Sequence, residues 1–586
     1  MARSTTPAGI GYKDKNDRND EVFTPADSEF VAVTVESAVR GVHTELGRFS
    51  DLVAALLKRD KLDPASVTDG QTAALINQAD TLTRKAVDAV VETAKVSAFG
   101  VRVDAYGVVG NGVKDDTDAF HAAASAAATF GVPLVIPAGM SIGISSYKRL
   151  PEGLTMHTNG SSFQQLTPSV LRAPVIGLGP RSTVVGRLGV YTLGGENCQG
   201  VHIADAPDVR VDRIEVRSTT PGAGSANIRN NGVRVINSPR FKADRVYVEN
   251  YSWPVWVELS NGVELGWVEA SSYAKAVHVD GCSNFRINGG HVYGTAPNSQ
   301  YAPGYNGLLI EADESTTSIH VQDFMVEDAG EHGVRVSGPM VQREIYFQNC
   351  VTKNVGGSGF KVLGGTLADG RYNTGITFDN CKAIDSGQVN QNCCGFLIQM
   401  AQHVTLINPE VRRLDKDYSA VEGIRVSGVK HLTISRATVM DTYKYAIRLD
   451  EACGDVSNVH IDGRVHTTSG QGVWLQNPGV VFRNLNLDVF VENTATGGSA
   501  FYAGRDTAPQ DSGAWGGINK LRLTISESTP AETAINTNSS AAALGAFFAE
   551  VTGRRGGDPA FRGGSTWMDT RLNTFQVRRN GVWETV

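Results

Sequence analysis

Three carboxylate residues occupy the same position in three successive sequence repeats. Glu258, Asp280 and Glu311 each stand four places after a small or turn-forming residue. If these repeats stack, carboxyl groups on adjacent repeats lie about 5 Å apart, and those two repeats apart lie about 9 to 10 Å from each other. The first distance is near that of retaining glycosidases and the second is near the upper end of the inverting range. Hydrolysis of a glycosidic bond by these residues is therefore geometrically possible.

A second candidate cluster lies in the segment 327–332, Glu-Asp-Ala-Gly-Glu-His. A turn there could present Glu331 and His332 together with Arg335. His332 or an arginine could then remove the C5 proton of a uronate chain in β-elimination, while a cation neutralises the sugar carboxylate. A histidine in a turn is more often simply solvated, so this cluster also has a purely structural interpretation.

A column of cations and aromatic residues is expected beside these acids. The residues two places after each small residue are Arg234, Trp256, His278, Leu309, Arg335, Lys361, Leu397, Arg425, Arg448 and Trp474. In stacked strands they lie about 4.8 Å apart and point outward. Such a column suits an anionic or neutral polysaccharide, through ion pairing and through stacking of sugar rings on aromatic faces. The alternative is an ordinary solvated sheet surface.

The repeat that places these residues predicts an all-β fold, a parallel β-helix. Its small or turn-forming residues recur about every 27 residues, and the residues one and three places after each of them are nearly all apolar. Helical repeats are excluded because no long run inside the units has helical period, and a propeller is disfavoured because its blades need four strands. The small residues are Gly232, Pro254, Ala276, Gly307, Gly333, Gly359, Gly395, Gly423, Ala446 and Gly472.

Four regions are expected along the chain. Residues 1–97 form a leader, polar to about residue 30 and followed by two helices at about 31–58 and 72–95. The leader is either an oligomerising or attachment segment or a plain helical hairpin. Residues 98–150 start and cap the solenoid, 151–492 form the parallel β-helix, and 493–586 form a small C-terminal region.

The segment 101–139 carries a family resemblance. A glycine-rich loop leads into Asp115-Asp116-Thr117-Asp118, which could cap the alanine-rich helix that follows, and then into a short β run. This arrangement closely resembles the starting motif of the pectate-lyase-like superfamily found in phage tailspikes and polysaccharide lyases, although Asn111 and Met140-Ser141 depart from the usual pattern. The resemblance implies a right-handed β-helix, with this segment as its cap.

The end of the chain resembles, less specifically, the closing motif of phage tail and tailspike proteins. Its residues are Ser565-Thr-Trp-Met-Asp-Thr-Arg-Leu-Asn573 and Arg579-Asn-Gly-Val-Trp-Glu584. The resemblance implies a homotrimer in the virion tail, with the C-terminal region in trimerisation or receptor binding and the leader attached to other tail proteins. A non-catalytic receptor-binding fibre and an extracellular bacterial lyase or hydrolase are the alternatives.

Composition limits the partners. The net charge of -7 gives no broad cationic surface for nucleic acid. No apolar run is long enough to cross a membrane and no secretory signal opens the chain, so we expect a soluble protein that is not exported by the standard route. The seven cysteines lack paired CxxC motifs and are expected to be buried free thiols, with no metal or cofactor.

Overall fold

The computed structural model describes most of residues 100–503, one strand before them and eight strands after them. Within that range it omits residues 168–173, 195–197, 220–229, 272, 295–303, 312–314, 366–369, 390–392, 415–421, 443, 451–452, 468–469, 477–481 and 494–499. The outer strands are Val96–Ser97, Trp515–Gly516, Asn519–Ile525, Ile535–Thr537, Phe547–Thr552, Phe561–Arg562, Thr566–Asp569, Thr574–Arg579 and Val582–Thr585. The two expected leader helices lie outside the described residues.

The chain winds into coils that each contribute strands to three parallel sheets, which we name A, B and C. Within these sheets, the strands pair in parallel with strands one coil away, so residues far apart in sequence become spatial neighbours. The predicted parallel β-helix is confirmed. Sheet A contains Pro174–Leu178, Gln199–Ala204, Asn231–Ile236, Trp253–Glu258, Lys275–Asp280, Asn306–Glu311, Val334–Ser337, Phe360–Leu363, Tyr445–Asp450, Gln471–Leu475, Phe501–Ala503, Ile535–Thr537 and Phe561–Arg562.

Sheets B and C complete each coil. Sheet B contains Gly100–Arg102, Leu134–Val135, Thr155–His157, Ser283–Ile287, Thr317–Gln322, Arg343–Gln348 and Asn373–Asp379. Sheet C contains Asn111–Asp115, Ser141–Ile144, Ser162–Gln165, Gly290–Tyr293, Phe324–Glu327, Val351–Val355, Lys382–Ser386 and Glu410–Arg412. Eight longer strands turn corners between sheets: Thr183–Thr192, Arg210–Ser218, Lys242–Glu249, Glu264–Ser271, Cys394–Ile407, Glu422–Thr442, Val456–Thr467 and Phe482–Asn493.

The small residues of the repeat lie in the strands of sheet A or directly before them, and at the glycines among them a larger side chain would not fit. A Cβ on Gly395 would lie 2.6 Å from both methyl groups of Val411, which belongs to sheet C. Gly307 meets Val326 of sheet C in the same way, at 2.2 Å. The repeat therefore marks close approach of two sheets rather than a turn. The flanking apolar residues face the interior, and Phe347, Phe378, Phe360 and Phe396 form part of a stacked aromatic core.

Turns between sheets B and C use asparagine. Asn349, Asn380 and Asn408 have φ of 52°, 53° and 49°, a left-handed conformation that asparagine tolerates well. They lie on successive coils, and Asn380 Nδ2 donates to Asn349 Oδ1 at 2.8 Å. Each directly follows a strand segment of sheet B, which ends at Gln348, Asp379 or Ile407.

The predicted cap is a helix, Thr117–Phe130, which covers the first coils with Phe120, Ala123, Ala124 and Ala127 buried. Asp115 rather than Asp116 accepts a hydrogen bond from the Thr117 backbone N–H, at 3.0 Å. Asp116 is fully buried and accepts from the backbone N–H groups of Val109 and Gly110, both at 2.9 Å. The acidic run therefore holds the glycine-rich loop as well as the helix start.

The C-terminal region begins as a continuation of the coils. Parallel pairing continues past residue 492. Phe482–Asn493 pairs with Asn519–Ile525, which in turn pairs with Phe547–Thr552. Phe501–Ala503 pairs with Ile535–Thr537, which in turn pairs with Phe561–Arg562. The last three strands instead form a separate antiparallel sheet. The cysteines are free thiols, all but Cys453 buried.

Candidate functional site

The predicted column of sheet A is aligned residue by residue. Arg234 pairs with Trp256, which pairs with His278 on the next coil. The series then continues in register through Leu309, Arg335, Lys361, Leu397, Arg425, Arg448 and Trp474. We call this set the outward column. It extends further than the sequence analysis found, with His202 before Arg234 and Tyr502 after Trp474.

The outward column is more buried than the sequence predicts. The Arg234 guanidinium lies 4.3 Å from the Trp256 ring, and His278 stacks on the same indole with centroids 5.9 Å apart. Trp253 packs edge-on against both rings, and Trp256 is only 5% exposed. Cations and aromatic rings on neighbouring coils therefore cover each other's faces, so the faces of Trp256 are not open to a sugar ring as expected.

The three predicted carboxylates lie at the rim of this stack. Glu258 and Asp280 are in register on adjacent coils, and Asp280 and Glu311 directly follow the paired residues Val279 and Ile310. Arg234 Nη2 contacts Glu258 Oε2 at 3.0 Å. The Glu311 side chain is 36% exposed.

One histidine reaches this group of acids. His278 Nε2 lies 4.0 Å from Glu311 Oε2. The structure thus brings three acids, a histidine and an arginine together on neighbouring coils, with the acids reachable from solvent.

The second predicted cluster is an internal network. His332 is 1% exposed, and its Nδ1 accepts a hydrogen bond of 2.9 Å from the Ser358 backbone N–H. Glu331 is also buried and accepts from the Gly304 backbone N–H at 2.6 Å and from Asn306 Nδ2 at 3.2 Å. Burial is the main cause that lowers the pKa of His332 to about 4. Neither side chain is placed to touch a polysaccharide directly, so we assign both a positioning role.

This network supports two members of the outward column. Glu331 Oε1 lies 3.3 Å from His332 Nε2 and 3.5 Å from Arg335 Nη1. His332 Nε2 also lies 3.1 Å from Lys361 Nζ. Burial, followed by the charge of Arg335, lowers the pKa of Lys361. Lys361 is a predicted member of the column, but its contact with His332 could not be predicted because the two residues belong to different coils.

Comparison with known proteins agrees with this architecture. Residues 275–487 match the family model described as "Right handed beta helix region". These residues form a right-handed β-helix region. No curated protein matches the chain.

Several solved structures resemble this β-helix at a distance. The A-module of mannuronan C-5 epimerase AlgE6 from Azotobacter vinelandii is 15% identical, with a TM-score of 0.39 over 70% of this chain and 100% of that one. The N-terminal fragment of bacteriophage Phi29 gene product 12 is 13% identical, with a TM-score of 0.37 over 82% and 85%. Bacteriophage CBA120 tailspike protein 3 is 11% identical, with a TM-score of 0.37 over 83% and 69%. These likenesses are too distant to assign an activity.

Further along the β-helix, the outward column contains a charge network. Arg425 Nε donates to Asp450 Oδ2 at 2.6 Å, and Arg448 Nη1 donates to Glu422 Oε1 at 2.6 Å. Arg448 also lies 4.6 Å from the Trp474 ring. Both arginines and Trp474 are predicted members of the column. Their acid partners Glu422 and Asp450 were not predicted: Asp450 stands four places after Ala446, like the three acids of the earlier coils, but its contacts with two arginines depend on side chains from neighbouring coils.

The described part of the β-helix offers no metal centre. Within those residues, no group of three or more His, Cys, Asp or Glu side chains could hold a metal ion. Among the same residues, no helix is long and apolar enough to cross a membrane.

Proposed function

We propose that this β-helix binds a host surface polysaccharide along sheet A and hydrolyses it at Glu258, Asp280 and Glu311. The observation that carries the proposal is the alignment of these three acids on adjacent coils, partly exposed and beside Arg234 and His278. Two positioned carboxyl groups, one protonated and one ionised, are what glycoside hydrolysis requires. The outward column supplies hydrogen-bond donors along the direction in which an extended chain would lie.

The distance between two of these carboxyl groups determines which role each can take in hydrolysis. Adjacent coils set their backbones about 4.8 Å apart, which suits a nucleophile and an acid/base in a retaining reaction. In that arrangement one carboxyl group protonates the leaving oxygen while the other attacks the anomeric carbon, and water then releases the sugar. Glu258 and Glu311, two coils apart, would instead hold a water between them in an inverting reaction.

Removing the acids is the test of this function. We expect Glu258→Gln, Asp280→Asn or Glu311→Gln to lower the release of reducing ends from a cleaved polysaccharide by about 10²- to 10⁴-fold, because a positioned acid or base contributes that much. Glu264→Gln is the matched control, since Glu264 lies on sheet B of the same coil as Glu258 and pairs with Lys242; it should keep full turnover.

Other outcomes would replace this proposal. Normal turnover in all three variants excludes hydrolysis at these acids. Absorbance from unsaturated uronate would indicate elimination instead. A wild-type chain that binds surface polysaccharides without releasing any product is a receptor-binding fibre, the main alternative, for which the outward column alone suffices. A bacterial lyase or hydrolase is the other alternative.

We also propose that the chain works as a homotrimer in a phage tail, with residues 1–97 contacting other tail proteins. Support comes from the resemblance of the starting and closing motifs to those of tailspike proteins. Light scattering of the full chain should then give a particle of about three times 62.5 kDa. A monomeric mass would favour the bacterial enzyme.

A further inference from the structure

Arg335 and Lys361 form a short cationic stretch in the middle of the outward column. They are paired on adjacent coils and half-buried. Leu309 precedes them and Leu397 follows them in the column, and both leucines are buried. The two cations are therefore separated from the other charged members by apolar side chains.

Carboxylates lie farther from Arg335 and Lys361 than from the other arginines of the outward column. Arg234, Arg425 and Arg448 each contact a carboxylate at 2.6 to 3.0 Å. Arg335 reaches Glu331 only at 3.5 Å, and that carboxylate already accepts two other hydrogen bonds. Across the described residues, no carboxylate lies within 4.0 Å of the Lys361 amine. Among these residues, carboxylates therefore balance Arg335 and Lys361 less closely than the other arginines of the outward column.

The strand ends also differ from those of the acidic coils. The position that holds Glu258, Asp280 and Glu311 on earlier coils holds Ser337 and Leu363 on these two. Ser337 accepts a hydrogen bond of 2.9 Å from Arg335 Nε, which fixes the guanidinium in place. The local charge is thus positive at a point where the neighbouring coils are negative or balanced.

His332 cannot satisfy Lys361 when the lysine is charged. Because His332 Nδ1 accepts from Ser358, the neutral ring carries its proton on Nε2, the atom that faces Lys361. A ring N–H cannot accept from an ammonium group. The hydrogen-bonding capacity of a charged Lys361 is therefore left for a group arriving from solvent, to which the neighbouring Arg335 side chain is 23% exposed.

We infer that Arg335 and Lys361 form an anion-binding subsite that takes the carboxylate or sulfate group of an acidic sugar unit. This inference rests on the proposed function and specifies its substrate class, a polysaccharide with an acidic repeating unit. Arginine's planar fork matches the two oxygens of such a group, and the lysine one coil away, about 4.8 Å along the sheet, supplies a second charge to the same group. Burial lowers the pKa of Lys361, and an anion beside the amine would favour its charged form.

The test is binding of the full-length chain to an array of acidic and neutral bacterial surface polysaccharides. We expect the bound glycans to be acidic, and carboxyl reduction or desulfation of a bound glycan to weaken binding about tenfold or more. If carboxyl reduction weakens binding, the subsite takes a carboxylate; if desulfation weakens binding, it takes a sulfate group. Neutral glycans bound as tightly as acidic ones would overturn this inference while leaving the proposed function intact. Binding to no glycan in the array would overturn both.

Variants locate the effect at these two residues. Arg335→Gln and Lys361→Met should each weaken binding of the acidic glycan about tenfold without changing affinity for its carboxyl-reduced or desulfated form. Lys361→Arg keeps the charge and should retain most of the affinity. Lys353→Met is the matched control, because Lys353 lies on sheet C and pairs with Glu327. The assignment would be overturned if Arg335→Gln and Lys361→Met both melt like the wild type and still prefer the acidic glycan to its carboxyl-reduced or desulfated form as strongly as the wild type does.

Discussion

Replacing Gly395 with alanine is expected to lower the free energy of unfolding by about 2 kcal/mol, because the interior has no room for even one methyl group. The added Cβ would lie 2.6 Å from both Val411 methyl groups and 3.0 Å from the Gly423 carbonyl oxygen. Sheets A and C would have to separate locally, which disturbs packing on adjacent coils as well. Chemical denaturation followed by circular dichroism measures the change.

A second substitution separates this steric effect from a general loss of strand structure. Val411→Ala removes both clashing methyl groups, so Gly395→Ala with Val411→Ala should be more stable than the sum of the two single changes predicts. Gly189→Ala is the control, since a Cβ there meets its nearest atoms at 3.4 Å, an ordinary contact; its effect should stay within about 0.5 kcal/mol. Wild-type stability in Gly395→Ala would show that small size at this position is not required.

The alignment of the outward column could be predicted from sequence because one steric requirement recurs in every coil. Where sheet A approaches sheet C closely, only a small residue fits. This requirement explains the glycines at 307, 333, 359 and 395. Side chains alternate along a strand, so fixing one position in each repeat fixes the others. Register and direction therefore followed from spacing alone.

The burial of that column could not be predicted in the same way. Whether Trp256 offers a face to solvent depends on the rotamers of Arg234 and His278, each on a different coil. Cation and ring stacking of this kind leaves no periodic signal in the sequence. The same residues that suggested an open sugar-binding surface therefore also stabilise each other.

The Glu331–His332 segment shows a related limit. Its sequence is that of a polar turn, and the expected outcome for the histidine was solvation or catalysis. Instead, Asn306 on one neighbouring coil and Ser358 on the other supply hydrogen bonds that allow both side chains to be buried. Pairs of polar residues about one repeat apart were the signal available, but spacing alone does not show which of these pairs form hydrogen bonds that permit burial.

Acidification from pH 7 to pH 4 is expected to destabilise the protein, in part through His332. Its pKa is lowered to about 4 in the folded protein, from an ordinary value of 6.5. Between pH 6.5 and pH 4 the unfolded chain binds a proton that the folded chain does not, so stability decreases as the pH falls. The full shift corresponds to about 3 kcal/mol. Burial also lowers the pKa of His121 and His202 to about 4, which adds to the decrease.

His332→Asn isolates the contribution of this one histidine. The asparagine amide oxygen can still accept the Ser358 N–H but does not titrate, so the variant should lose less stability than the wild type between pH 6.5 and pH 4. The comparison uses the slope of stability against pH rather than its absolute value, because the substitution also changes packing. Above pH 7 the histidine is neutral in both states, and the two curves should run parallel there. Curves that remain parallel down to pH 4 would mean that His332 takes up its proton as readily in the folded protein as in the unfolded one, contrary to its burial beside Lys361 and Arg335.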